Sequence, residues 1–376
     1  MIRSYGWASF DKPINVKHYL IFLMTCYAGG LAAQSHLPTE HIFIITTDGF
    51  RWQEVFQGAD PDMLGDPGFV KDPALMRQSY DDSTVAGRRK KLLPFFWNTI
   101  AVEGQLYGNR SFNNKVSMSN LYRISYPGYN ELLTGYPDPH LNPNLRLNNR
   151  NRNILELLNG RPDYKGKVVA FGSWNVFPYI FNMKRSNIPV DCGYRHTRHD
   201  QVTFTCAKDY IVKHHPLVVF LGFGETDEEA HAGHYDLYLQ SASAVDRMIG
   251  ELWDFVQHDP EYKDHTTFII TTDHGRGRNA ESWHTHGPFT SGSGETWIAC
   301  IGPGVSPQGE MQEDEQIYGK QLAATVGRLL GIDFQTGHRI GEAIALPKMR
   351  PAGLSVAMAA APLPSTPIAS TGGEAK

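Results

Sequence analysis

Carboxylates and imidazoles recur in this chain at spacings that can hold metal ions. The run IITTD occurs twice, ending once on Asp48 and once on Asp273. His274 follows Asp273 directly, and WHTHG supplies His284 and His286. In GETDEEAH, Asp227 and His231 stand four residues apart, a spacing that puts both on one face of a helical turn. Carboxylate oxygen combined with imidazole nitrogen suits zinc or manganese. Two divalent ions about 4 Å apart can clamp the attacking and leaving oxygens of an in-line displacement at phosphorus. A nucleophile for that displacement is at hand in ISYPGYNELLTG, where Ser125 precedes a helical stretch, 127–133. A serine hydroxyl is a weak nucleophile until a metal or base activates it. The free N–H groups of a helix N-terminus favour both an alkoxide and a bound phosphoryl group. A helix-capping role for Ser125 is compatible with this chemistry. Singly, these signals have ordinary readings: Asp-Gly makes turns and D-x-x-x-H is usually a solvated helix face. Their joint presence in one chain, at the ends of apolar runs, is what points to a site.

Those ends are set by β-branched runs over 42–46, 168–171, 217–221, 267–271 and 297–301. None alternates, so each reads as a strand buried on both faces of a parallel sheet. Helical periodicity lies between them. Leu237, Ser241, Val245, Met248, Leu252 and Phe255 mark one face of a long helix, and Leu322, Val326 and Leu329 a second, with Gly331 as its stop. Strand and helix alternating in this way predict a three-layer α/β/α sandwich with a mostly parallel central sheet. In such sheets functional groups gather at the carboxyl ends of the strands, where Asp48 and Asp273 both sit. The repeated IITTD then means two strands delivering two carboxylates to one place.

The 376 residues are 41% hydrophobic and 20% charged, enough for one large core. A net charge of −4 argues against a nucleic-acid polymer as partner. Lys17 followed by YLIFLMTCYAGGLAA reads as an export signal over 1–33, with the mature chain starting near Gln34, placing it in the periplasm or outside the cell. No membrane span is expected in the mature chain. The hydrolase domain is expected over 36–347, and the Ala/Pro/Ser/Thr/Gly composition of 350–376 predicts a disordered tail. In an oxidising compartment Cys192 and Cys206 are expected to pair, and Cys300, in an apolar run, to be a buried thiol.

The order and spelling of the motifs resemble the alkaline phosphatase superfamily, in particular its nucleotide pyrophosphatase/phosphodiesterase-like branch. The matching residues are Asp48-Gly49, Ser125-Tyr126-Pro127 leading to Thr134-Gly135-Tyr136-Pro137, Asp227 to His231, Asp273-His274-Gly275 and His286-Gly287. The resemblance implies one ion held by Asp227, His231 and His286. It implies a second held by Asp48, Asp273 and His274, with Ser125 bridging toward it as the nucleophile that becomes phosphorylated. An asparagine steadying a phosphate oxygen is implied after the nucleophile helix; Asn142 and Asn144 are the candidates, with Asn144 preferred. Arg51 and Arg276 adjoin ligand motifs and are candidates to meet an anionic substrate. Trp174, Phe177 and Tyr179 form either a substrate wall or core. The implied function is hydrolysis of a small-molecule, glycan-linked or lipid-linked phosphate ester with two divalent ions, zinc first. One departure is Gly128-Tyr129, where relatives carry Asn-His.

Two alternatives compete. A sulfatase of the same superfamily resembles C/S-x-P-x-R at the nucleophile, and Ser125-Tyr126-Pro127-Gly128-Tyr129 lacks that arginine. A binding protein that keeps the fold without catalysis would be expected to have lost ligand positions, and here they stand intact. A metal-dependent phosphoglycerate mutase is disfavoured by the export signal.

Overall fold

The side-chain alternation along each central strand decides the layers. In the computed structural model, residues 39–141, 144–193 and 197–346 are described. The expected export signal over 1–33, the expected tail over 350–376 and Asn142 lie outside the described residues. The strands are β1 (His41–Thr47), β2 (Gln105–Tyr107), β3 (Lys115–Ser117), β4 (Val168–Gly172), β5 (Val190–Asp191), β6 (Val218–Phe223), β7 (Thr266–Thr271), β8 (Glu295–Thr296), β9 (Ile298–Ile301), β10 (Gly309–Glu310) and β11 (Gln316–Tyr318). Eight form a central sheet in the order β10-β2-β9-β7-β1-β6-β4-β5, and β11-β3-β8 form a small second sheet. Phe43 and Ile45 of β1, Val219 and Leu221 of β6 and Phe268 and Ile270 of β7 enter one core. Their neighbours Ile42, Ile44, Val218, Phe220 and Ile269 enter another on the opposite face. Both faces of these strands are therefore dry, as the unbroken apolar runs require.

Helices cover each face. On one side lie α1 (Ser125–Thr134), α2 (Ile154–Asn159) and α6 (Leu322–Leu329). On the other lie α3 (Asp200–His214) and α5 (Tyr235–His258). A short helix, α4 (Glu225–His231), follows β6. The expected three-layer sandwich is what forms, and no helix among the described residues is long and apolar enough to cross a membrane.

Three local expectations need correction. The 297–301 strand does not join the parallel set: β9 runs antiparallel to both β7 and β2. No crossover helix separates β7 from β9, only turns, irregular chain and the two-residue strand β8 of the small sheet, so the chain re-enters the central sheet reversed. The buried apolar face of α5 is Tyr235, Tyr238, Leu239, Ala242, Val245, Met248, Ile249, Leu252, Trp253 and Val256, so the predicted Val245, Met248 and Leu252 lie in it and Leu237, Ser241 and Phe255 sit at its margins. Two tyrosines displace the stripe, because their hydroxyls have buried partners near Arg51 and Glu54. Finally, Cys192 and Cys206 are both free thiols. Cys206 projects from α3 against one core, while Cys192 follows the short edge strand β5 and its Sγ contacts Gly193 O at 3.6 Å. Cys300 is buried, as expected.

One buried carboxylate in α5 gives a stability prediction. Asp246 accepts the backbone N–H of Phe95 through Oδ2 at 2.8 Å and that of Phe96 through Oδ1 at 3.0 Å. It thereby caps a helical segment more than a hundred residues away in sequence. Asp246→Ala leaves both donors without their acceptor and should cost about 2–4 kcal/mol, read from urea unfolding midpoints.

Candidate metal centre

β6, β1 and β7 are adjacent and end together, which brings three ligand-bearing turns to one edge. The two IITTD runs are paired in register: Ile44 opposite Ile269, Ile45 opposite Ile270, Thr46 opposite Thr271. On the other side of β1, Thr47 lies opposite Phe223. Asp48 and Asp273 thus leave neighbouring strands at one level. Asp227 and His231 follow on α4, which starts one residue beyond β6. Ser125 arrives from α1, of which it is the first helical residue. It is not the N-cap; that place is held by Ile124.

The side chains converge. Ser125 Oγ lies 3.4 Å from Asp48 Oδ1 and 3.3 Å from His274 Nε2. His274 Nε2 is 3.4 Å from Asp48 Oδ1 and 3.5 Å from Asp273 Oδ2. Its Nδ1 is 3.0 Å from Gly275 O, so the tautomer that donates there leaves Nε2 free to ligate. The second set sits beside the first. His231 Nε2 is 3.3 Å from Asp227 Oδ2 and 3.0 Å from His286 Nε2, and His286 Nδ1 is 3.2 Å from Arg123 O. His274 and His286 stack with centroids 3.9 Å apart, so the two sets are contiguous. Ligand atoms of Asp48, Asp273 and His274 lie within 4.8 Å of one another, and so do those of Asp227, His274 and His286. His274 can therefore side with either set, and His231 enters through its contacts with Asp227 and His286.

The electrostatics ask for cations. Asp273 is fully buried; its Oδ1 accepts Gly49 N–H at 3.1 Å, but Oδ2 has no hydrogen-bond partner. Burial, then the neighbouring Asp48 carboxylate, push the Asp273 carboxyl up. Burial works against the His274 imidazolium, but Asp273 and Asp48 outweigh it and hold that group above its ordinary value. Burial, then repulsion from His274, depress both His231 and His286, which keeps them neutral and able to ligate. An orphaned buried carboxylate oxygen beside His274, whose proton an ion would displace, with the neutral His231 and His286 close by, is a donor set that fits divalent ions.

The remaining predicted residues divide. Asn144 lies at the site: its Oδ1 accepts the Tyr126 N–H at 2.9 Å, at the start of α1. Arg51 does not meet substrate here. It is buried and paired with Glu54, with Nε 2.9 Å from Oε2, and its Nη1 donates to Gly277 O at 3.1 Å. Three residues apart on one helical turn, Arg51 and Glu54 neutralise each other inside the core. Arg276 is also buried, donating to Gly49 O, His284 O and Asp227 Oδ1, so it braces the ligand turns. His284 contributes its carbonyl to that brace, and His234 pairs with Glu229 on the surface. A cavity of about 640 Å³ over Ser125 is lined by Asp48, Asn144, Trp174, Asp227 and His231 among others. Trp174 is its aromatic wall, whereas Phe177 is core and Tyr179 packs against that core.

Two residues escaped sequence reasoning. Tyr129 Oη donates to Asp48 Oδ2 at 3.0 Å, steadying the carboxylate from below. Its spacing of four from Ser125, on one helical face, was the available signal. A Cβ on Gly128 would lie 2.3 Å from Asp273 O. The Gly128-Tyr129 departure therefore lets α1 pack directly against the Asp273 turn and reach Asp48.

Beside the cavity, Asp200 accepts Ser173 Oγ at 2.6 Å, Gly224 N–H at 2.8 Å and Glu225 N–H at 3.1 Å. Burial nevertheless raises its carboxyl from 3.8 to about 7. The native state then holds this proton more tightly than the unfolded chain does. The stability it contributes is complete below the unfolded value of 3.8 and is lost as pH rises through about 7. Asp200→Asn should flatten the pH dependence of the unfolding midpoint over that window.

Comparison with known proteins bears on the fold. The Metalloenzyme superfamily family model matches residues 148–333. A 2,3-bisphosphoglycerate-independent phosphoglycerate mutase 2 from Methanosarcina acetivorans is 30% identical over 115 residues, 31% of this chain and 20% of that protein. The chain thus matches only about a fifth of that curated relative's length. Murine ectonucleotide pyrophosphatase/phosphodiesterase 5 in complex with AMP superposes with a TM-score of 0.54 at 13% identity, over 80% of this chain and 97% of that one. The lipoteichoic acid synthase LtaP from Listeria monocytogenes gives 0.53 at 12% identity, over 80% and 74%. At these identities the structural likeness speaks for the fold. The family match is to the metalloenzyme model over 148–333, and the structural likeness shows that the chain shares the fold of these proteins.

Proposed function

We propose that this protein is an exported hydrolase of phosphate esters, of the nucleotide pyrophosphatase/phosphodiesterase-like branch, with Ser125 as nucleophile. The observation that carries the reading is the position of Ser125 Oγ, at the start of α1 and within 3.4 Å of both Asp48 and His274. Asp48, Asp273 and His274 would hold one ion and Asp227, His231 and His286 the other, with zinc the first choice and manganese the second. Bound ions supply Lewis-acid stabilisation of the charge on attacking and leaving oxygens. The chain supplies the rest. Ser125 Oγ forms a bond to phosphorus as the ester P–O bond breaks, and the serine proton is balanced by the one the leaving alcohol gains. Water then hydrolyses the phosphoserine and restores the hydroxyl. The N-terminus of α1 faces the phosphoryl group with its partial positive charge. Asn144, with Oδ1 engaged by Tyr126 N–H, offers Nδ2 to a phosphoryl oxygen. Trp174 would flank the rest of the substrate, a small-molecule, glycan-linked or lipid-linked ester. Export rests on the 1–33 segment.

The test is turnover of p-nitrophenyl phosphate, bis-p-nitrophenyl phosphate and p-nitrophenyl sulfate by protein purified without chelator and supplied with zinc or manganese. A phosphorus ester should be the preferred substrate. Turnover of the sulfate alone would move the protein to the sulfatases, and no turnover with metal bound would leave a binding protein.

A further inference from the structure

A second cleft, of about 580 Å³, shares no lining residue with the cavity over Ser125. Its walls carry four cations, Arg110, Lys115, Arg123 and Arg278, against one acid, Glu295. In a chain of net charge −4 this is a local excess of three positive charges. Glu295 cannot serve them all. It already accepts Arg278 Nε at 3.0 Å and Trp52 Nε1 at 3.1 Å, with Arg110 Nε at 3.4 Å. Neither Lys115 nor the Arg123 side chain makes an ion pair among the described residues. Arg110 Nη1 and Arg123 Nε are buried and have no hydrogen-bond partner. A buried donor left unmade is costly, and four like charges gathered around one counter-ion repel. Arg110 is nevertheless held in place, with Nη2 donating to Val116 O and Ser117 Oγ, both at 2.9 Å. Burial presses its guanidinium below the ordinary value, with Glu295 opposing the shift and Arg278 adding to it.

We propose that this cleft binds an oxyanion, a sulfate, phosphate or carboxylate group, at a site separate from the metal centre. Arginine forks match such groups in geometry, and the volume admits the anion with a sugar-sized body attached. The cleft is also tied mechanically to the metal ligands. Arg123 holds a left-handed backbone, φ 51°, and its carbonyl meets His286 Nδ1. Ser293, in the loop that lines the cleft, accepts Gly275 N–H at 2.8 Å through its carbonyl and Gly287 N–H at 3.1 Å through Oγ. An anion ordering Arg123 and this loop therefore steadies the turns that carry His274 and His286.

Isothermal titration with sodium sulfate at fixed ionic strength tests the proposal on the metal-loaded protein. Wild type should bind, Asp227→Ala should bind equally, and the Lys115→Gln/Arg278→Gln pair should weaken binding about tenfold or more. Both replaced side chains are solvent-accessible, and circular dichroism checks that the pair folds. Glucose 6-sulfate titrated alongside identifies the source: tighter binding than the free ion points to a sugar-borne ester, and equal binding to a free anion. No binding by wild type overturns the proposal. So does binding that disappears in Asp227→Ala yet survives in the Lys115/Arg278 pair, because the anion then belongs to the metal centre.

Discussion

Ser125→Ala should lower turnover of an aryl phosphate by about three orders of magnitude or more while leaving the metal content of the purified protein unchanged. The geometry separates the two quantities. Ser125 Oγ approaches Asp48 and His274, but those side chains have supports of their own. Tyr129 Oη holds Asp48, and Gly275 O is within hydrogen-bonding reach of His274 Nδ1. Removing the hydroxyl takes away the atom that bonds to phosphorus and leaves the ligand scaffold standing. Because Ser125 is the first helical residue and not the cap, α1 should keep its stability as well, and Ala at that position is a good helix former. Wild-type rates in Ser125→Ala would remove Ser125 as nucleophile. The mass of the tryptic peptide containing Ser125 adds an independent check. An unmodified serine, phosphorylated during turnover, fits phosphate chemistry, whereas an aldehyde there would mean sulfatase chemistry.

Asp273→Asn should reduce bound metal from about two ions per chain to about one and lower turnover by a comparable factor. Asn keeps the shape and can still accept Gly49 N–H through Oδ1, so the turn after β7 is preserved. What disappears is the charge of a carboxylate whose other oxygen has no protein partner. A purely structural role predicts a different result. With metal stripped away, burial and the Asp48 carboxylate already favour the protonated form of Asp273, which a neutral Asn resembles, so the metal-free unfolding midpoint should stay nearly unchanged. Plasma mass spectrometry of the metals and thermal unfolding of the stripped protein give both readouts. Two ions retained at full activity would exclude Asp273 as a ligand. Asp227→Ala and His286→Ala should weaken the other ion.

The strands, the faces they bury and the places where they end are local matters, and the sequence by itself determined them. Apolar runs without alternation require a sheet covered on both faces. IITTD written twice requires two similar strand ends, and D-x-x-x-H requires a helical turn, so Asp48, Asp227, His231, Asp273 and His274 were legible as a group. Ser125 was legible because a serine before a helix is a local pattern. What depends on which side chain lies opposite which was decided only in the tertiary structure. Arg51 sits beside a ligand motif yet turns into the core, because Glu54 on the same turn neutralises it. Tyr129 reaches Asp48 only because Gly128 lets α1 press against the Asp273 turn. β9 runs antiparallel because no helix carries the chain back across the sheet. Cys192 and Cys206 have a permissive spacing, but one follows an edge strand and the other stands on α3, and both remain thiols. Spacing along a chain limits which residues can be neighbours. Burial then selects among them, by which charges and hydrogen-bonding groups find partners once water is gone.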